Sequence, residues 1–481
     1  MIGPEQLSQW LINLDSLVFF RSLRQNRAIQ NLTKLCETLI SLFEQDSETE
    51  NWQTICPSLT QKRSLAQTWA QFLEDLIYRG SPTKSTPQIT PNLESLLADL
   101  VLQNENPLTL AMEQFPIEQL SPETIALAAS DLDRLYQLAR LDLQELADTV
   151  ALFVGPCFLQ IQNLSFKTFT NVSSDTVLPA NIPWSACITE LGNLIHSQGT
   201  GILGQHHAFI WKQRKQDGNK AASQNTLHPV LNGDPISLDD LFGYEEQRSV
   251  IIENTRRFVE GKSANNLLLY GDRGTGKSAT VKAVCRAFSG RGLKLIEVRK
   301  RDLLHFEEIA ETLANRGLKF VLFIDDLSFE ATDDTFTGLK ALLEGGLERR
   351  PANVVIYATS NRRHLVKEPF ADRPTTALAS EALTTGDVRA FDTMQEQLSL
   401  ADRFGITIVF TAPNQDEYLA IAEAIAEQRG VLTPESDRER FRHNALRWER
   451  WFNGRSPRTA QQYVDWLSGG AGFPWDSHSR L

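Results

Sequence analysis

Three short stretches combine residue types that can do chemistry together. The first is the octet GDRGTGKS, Gly271 to Ser278. It fits G-x-x-x-x-G-K-[ST]: Gly271, Gly274 and Gly276 let backbone N–H groups curl round phosphate oxygens, Lys277 reaches the β and γ phosphates, and the Ser278 hydroxyl binds magnesium. Asp272, Arg273 and Thr275 complete the loop. The second is FVLFIDD, an apolar run ending in Asp325 and Asp326, 48 residues beyond Lys277. A carboxylate there reaches the metal directly or through water, and its neighbour polarises the attacking water, so Asp325 is expected at the metal and Asp326 at the water. Acids also end buried strands simply because the chain meets solvent there. The third is ATSN, whose Asn361 amide is placed to orient the lytic water and sense the γ-phosphate. Asn after a strand is also a common turn residue.

To hold a phosphate, the octet needs a strand to deliver it and a helix to receive it. NLLLY (266–270) precedes it, and ATVKAVCRAF (279–288) follows with the positive end of a helix. LKLIEV (293–298), KFVLFID (319–325), NVVIYATS (353–360) and GITIVFT (405–411) read as further strands buried on both faces. DLLHFEEIAETLANRG and FTGLKALLEG fall between them with helical spacing. The alternation predicts an α/β fold, a parallel sheet with helices on both sides. After 412 there is no further strand pattern, and Asp416–Glu427 and Thr459–Leu467 read as a small helical lid.

A chain of 481 residues suggests about three domains. A net charge of -12 argues against wholesale coating of a polyanion. Five cysteines without a C-x-x-C pair point to a reduced, cytoplasmic setting. No run of about 18 uncharged apolar residues suits a membrane span, and Glu5, Asp15, Arg21 and Arg24 speak against a signal peptide. Residues 1–225 are expected to form a mainly helical region and candidate partner-binding module. LSQWLINLDSLVFFRSLRQ and LAQTWAQFLEDLIYRG space apolar residues three and four apart. Ser121, Pro122 and Glu123 open another helix in capping order, and Ser81–Pro91 reads as an exposed linker. Lys212–Asn225 reads as a surface loop or interdomain connector, which puts the boundary near 225. The core then covers 226–412 and the lid 413–481.

The order and spacing of these motifs resemble an AAA+ ATPase. GDRGTGKS stands as Walker A, FVLFIDD as Walker B, ATSN as sensor 1, SLADRFG (399–405) as the arginine-finger box and SPRTAQQYVDWL (456–467) as sensor 2. LFGYEEQ, YATSNRRHL and SLADRFG further resemble a bacterial AAA+ family catalogued as a domain of unknown function, over about 226–465. The resemblance implies an ATPase using ATP and Mg2+, remodelling or loading an unknown protein client through its N-terminal region. It implies that Arg403 reaches a neighbour's γ-phosphate, which requires a homo-oligomer, and that Arg458 projects from the lid onto the phosphates, with Arg455 as rival. Leu241, Phe242 and Gly243 would wall the adenine.

Asp326 departs from the Glu of many AAA+ motors, which keeps open a slow nucleotide-gated switch. The Asp-Asp pair, with seven arginines between 438 and 458 around Trp448 and Trp451, keeps open a DNA-associated loader. A lid that packs its tryptophans is the competing, favoured reading of that segment. Arg362 and Arg363 are either trans contacts or solvated turn residues, and residues 364–395 form a candidate client-facing insertion.

Overall fold

The computed structural model describes residues 2–44, 57–79, 92–155, 177–179, 181–212, 226–231, 233, 236–327, 339, 343, 351–361, 403–432, 437–452 and 454–470. The Ser81–Pro91 linker, Arg362, Arg363 and the 364–395 insertion lie outside these residues, as does FTGLKALLEG apart from Leu339 and Leu343. The chain divides into two compact units, Met1–Gln205 and His206–Leu481.

The first unit is helical, as its spacing predicts: α1 (Pro4–Asp15), α2 (Arg27–Glu44), α3 (Leu59–Arg79), α4 (Leu93–Gln103), α5 (Pro107–Gln114), α6 (Pro122–Ala139), α7 (Leu143–Val154), α8 (Ile188–Gln198) and α9 (Gly201–Gln205). Ile29, Leu32, Cys36, Leu39 and Phe43 of α2 recur every three or four residues and pack in one core with Trp69, Leu135, Phe153 and Trp184. Helix α6 starts as expected, with Pro122 in its first turn and the Ser121 hydroxyl accepting the Thr124 N–H at 3.2 Å.

The stretch with helical spacing from Leu7 is interrupted after Asp15. The buried Asp131 carboxylate of α6 accepts the N–H groups of Val18 (2.9 Å) and Phe19 (2.8 Å), pulling that backbone out of helical geometry. Local spacing could not reveal this partner, because it lies more than a hundred residues away.

The second unit is built on a seven-stranded sheet of order β2-β1-β4-β5-β6-β3-β7. Its strands are β1 (Ala208–Lys212), β2 (Thr226–Pro229), β3 (Leu267–Gly271), β4 (Leu293–Glu297), β5 (Lys319–Ile324), β6 (Val354–Ser360) and β7 (Ile406–Phe410). The last five match the five expected strands, and every neighbouring pair is parallel except β1 with β2. Helices α10 (Glu245–Val259), α11 (Lys277–Ala287) and α12 (Phe306–Ala314) accompany the sheet. Val281 and Val284 of α11 and Ile251 and Phe258 of α10 share a core with Leu267, Val321, Val355 and Tyr357.

The edge of this sheet corrects the expected boundary. Strand β1 pairs in parallel with β4, Phe209 opposite Ile296, so the sheet begins before 225 and the units part between 205 and 206. Residues 213–225 therefore join two strands of one sheet and are not an interdomain connector. AFIWK alternates over only five residues, too few for its period to stand out.

The lid has three helices, α13 (Gln415–Gln428), α14 (Arg438–Trp451) and α15 (Pro457–Ser468). The arginine-rich segment supplies the middle one. Its Trp448 is buried against Phe452 (4.3 Å between ring centroids) and Trp466 (5.6 Å). Arg442 grips Glu423 through two nitrogens (2.5 and 3.1 Å), Arg438 pairs with Glu427 at 2.5 Å, and Arg455 pairs with Glu449 at 2.6 Å. Among the described residues no helix is long and apolar enough to cross a membrane.

Replacing Asp131 by Ala strands the backbone donors of Val18, Phe19 and Phe20 and is expected to destabilise the helical unit by roughly 2 to 4 kcal/mol in denaturant unfolding, with Asp131→Asn losing less.

Candidate functional site

The octet forms the turn between β3 and α11. Gly271 has φ 139°, and a Cβ there would lie 2.0 Å from the Phe410 carbonyl oxygen, so β7 leaves no room for any side chain. Gly274 has φ 78°, and a Cβ would meet the Ser456 hydroxyl of the lid at 2.9 Å. Helix α11 opens at Lys277, directing its unpaired first-turn N–H groups and positive dipole end at the loop's concavity.

Lys277 is buried, and its Nζ donates to the carbonyls of Gly271 (3.0 Å) and Asp272 (2.6 Å). Burial holds its ammonium below the usual lysine pKa; Asp272, Asp326 and Asp325 oppose that shift, and Arg458 adds to it.

Strand order brings the acids to this loop. Strand β6 lies between β5 and β3 in parallel register, so the C-terminal ends of all three emerge on one edge of the sheet. Ser278 Oγ donates to Asp325 Oδ1 at 2.6 Å, and Thr359 Oγ1 donates to the same oxygen at 2.6 Å. Thr359 Oγ1 also accepts the Asp326 N–H at 3.0 Å, and the Asn361 amide donates to Asp326 Oδ1 at 2.7 Å. Asp326 has φ 52°, a strained left-handed conformation that turns its carboxylate back toward the loop. The Leu327 N–H bond to the Thr359 carbonyl (2.7 Å) closes the turn behind it.

These groups line a cavity of about 560 Å³. Of the residues expected from sequence, Arg273, Gly274, Thr275, Gly276, Lys277, Ser278, Asp325, Asp326, Asn361, Arg458, Phe242 and Gly243 border it. Gly271 and Asp272 do not; they back the loop against β7, where the Asp272 N–H meets the Phe410 carbonyl at 2.9 Å. Between the rival lid arginines, Arg458 reaches the cavity, while Arg455 is held by Glu449 and Gln415. Arg403 stands just before β7. That strand pairs Ile406 with Leu267 and Phe410 with Gly271, so Arg403 sits at the end of the sheet opposite its own phosphate loop. It cannot serve that cavity.

Sequence reasoning missed Thr359, although it lies two residues before Asn361, where strand alternation puts both on one face. It also missed Ile421, Ile425 and Gln461, which the lid brings to the cavity. Tyr244 was missed too: its ring packs on Phe410 (5.1 Å) and its hydroxyl donates to the Thr411 carbonyl at 2.7 Å.

The pocket fits a magnesium-bound nucleotide triphosphate. Its three glycines have positive φ, a Cβ at Gly271 or Gly274 would meet a neighbour within 3 Å, and a hydroxyl and a carboxylate converge as oxygen donors, the set magnesium takes beside phosphates and water. Among the described residues there is no cluster of three or more His, Cys, Asp and Glu suited to another metal.

A family model described as "Protein of unknown function (DUF815)" matches residues 204–471. No curated protein matches the chain. Among solved structures, the Thermotoga maritima RuvB Holliday junction branch migration motor is 18% identical with TM-score 0.30, over 48% of this chain and 63% of that one. The FIGL-1 AAA domain in complex with ADP is 15% identical with TM-score 0.33, over 49% and 74%. The Aeropyrum pernix ORC1 protein in complex with DNA is 16% identical with TM-score 0.32, over 48% and 66%. The chain thus spans less than two thirds of the RuvB chain.

Burial, with Glu417 and Asp272, pushes the Tyr244 hydroxyl up from 10.0 to about 12. A raised pKa gives stability that is complete below pH 10 and is lost as pH climbs through about 12. Urea midpoints of the wild type should therefore fall more steeply across that window than those of Tyr244→Phe.

Proposed function

The chain belongs to the DUF815 family and has an α/β core of the AAA+ P-loop type; we propose that it binds ATP with magnesium and hydrolyses it as a homo-oligomer that remodels or loads a partner. The observation that carries this reading is the convergence of Lys277, Ser278, Asp325, Asp326, Asn361 and Arg458 on one cavity. Loop N–H groups and Lys277 hold the β and γ phosphates. Ser278 and Asp325 would hold magnesium, which when bound neutralises charge on the transferring phosphoryl group. Asp326 orients the attacking water and accepts its proton, and Asn361 fixes that carboxylate. Gly243 lies against Ile421 and Phe242 packs on the lid core that holds Ile421 and Ile425, so together they offer one apolar wall for the base. Arg458 carries the state of the phosphates to the lid, and Arg403, turned away from its own cavity, serves that of a neighbouring subunit.

A second reading, a slow nucleotide-gated switch, is supported by Asp326 itself. It is one methylene shorter than glutamate and already engaged by Asn361. A nucleic-acid partner has less support, since the lid packs Trp448 inside and commits Arg438, Arg442 and Arg455 to acids.

Magnesium-dependent ATP hydrolysis should rise per subunit with protein concentration. Lys277→Ala should abolish it, Asp326→Asn should bind ATP but turn over at least about 100-fold more slowly, and Arg403→Ala should lose about 10³-fold or more and the concentration dependence. Activity indifferent to Arg403 and to concentration removes the oligomer from the scheme. Tight ATP binding with turnover below about 0.01 per second selects the switch.

A further inference from the structure

We infer that the Asp272 carboxylate is a positioning group that ties the phosphate loop to the connection between β7 and the lid, so that nucleotide bound to the loop is felt there directly. The inference rests on the nucleotide reading above and adds to it a route to the lid other than Arg458.

Asp272 is the second residue of the octet, a place where a negative charge opposes the arrival of a polyphosphate. Its side chain does not border the cavity. Instead Oδ2 accepts the N–H of Ala412 at 2.6 Å. Ala412 is exposed and lies in the short stretch 411–414 between β7 and α13. That stretch ends in Asn414, whose side chain caps α13 by accepting the Glu417 N–H at 2.9 Å. A charge-assisted bond from one phosphate-loop residue thus lands two residues before the N-cap of the first lid helix.

The backbone of Asp272 is tied on both sides, to β7 and to the loop. Its N–H donates to the Phe410 carbonyl at 2.9 Å, and its own carbonyl accepts from Lys277 Nζ (2.6 Å) and Thr275 Oγ1 (2.8 Å). A phosphate lying in the cavity competes with the Gly271 and Asp272 carbonyls for the three donors of Lys277 Nζ. When it turns to the phosphate, the peptide at Asp272 loses a donor, and the residue that relaxes is the one bonded to Phe410 and Ala412. The Tyr244 hydroxyl, on the Thr411 carbonyl at 2.7 Å, is a second tie on the same stretch and limits how far it shifts.

Amide hydrogen exchange of the full chain reads this bond directly at Ala412. Without nucleotide, Asp272→Ala should speed exchange of that amide at least about tenfold, the loss expected for a hydrogen bond to a charged acceptor. Asp272→Asn, whose amide oxygen still accepts, should restore most of the protection, a rescue that a merely space-filling side chain would not explain. Should the alanine variant fail to fold, Asp272→Glu, which keeps the charge but displaces the carboxylate by one methylene, is expected to lose protection as well. Saturating magnesium-ATP should change Ala412 exchange in the wild type and Asp272→Asn, and leave it unchanged in Asp272→Ala. An Ala412 amide that exchanges within about twofold of wild type in Asp272→Ala overturns the tie, and one that ignores ATP in the wild type overturns the coupling. Calorimetric titration of the wild type with ATP reports on the nucleotide reading separately: absence of uptake sinks that reading, while the nucleotide-free comparison still decides the tie.

Discussion

One hydroxyl, that of Thr359, organises the acid-bearing edge of the sheet. By donating to the Asp325 carboxylate and accepting from the backbone N–H of Asp326, it anchors both acids, while Asn361 holds the Asp326 carboxylate itself. It can do so because β6 lies between β5 and β3, so a side chain near its end touches both the acids and the space above the phosphate loop. The left-handed turn at Asp326 is held by the same contact and by the Leu327 N–H behind it. The remainder of the core, apolar strands buried on both faces and helices packed against them, serves to keep that edge in register.

In the lid, charge and aromatic content read along the chain leave two readings open, and the burial of Trp448 accords with the favoured one. Arginines and tryptophans at short intervals suggest a surface for nucleic acid. Folded, the helix turns Trp448 inward, and the arginines on its flanks meet Glu423, Glu427 and Glu449, two of them on the preceding helix. Burial of Glu423 and Glu449 makes those partners necessary, because a carboxylate out of water needs a donor. The lid arginine that faces the cavity is Arg458, the last of the seven, in the first turn of α15.

Much of the core was legible because its signals are local. A strand buried on both faces reads as an uninterrupted apolar run, and all five such runs became strands. The octet and the acids after FVLFI were legible because phosphate binding requires particular residue types at fixed spacing. Features set by distant partners were not legible. Asp131 breaks the first helix from more than a hundred residues away, β1 joins the sheet only through pairing with β4, and Gly271 and Asp272, counted with the cavity, proved to face β7.

By itself the sequence determined the chemistry available: a loop that can cradle phosphate, a lysine and hydroxyl beside it, a pair of acids on a later strand, and helices enough for a lid. Those follow from covalent spacing and from hydrophobic period, which are properties of neighbours along the chain. Only the tertiary structure decided which side chains meet: that Thr359 links the acids, that Arg458 rather than Arg455 looks into the cavity, that Arg403 looks away from it, and that Asp272 belongs to the lid connection. Strand order and helix packing bring these groups together from far apart in the chain, and no local pattern records that pairing.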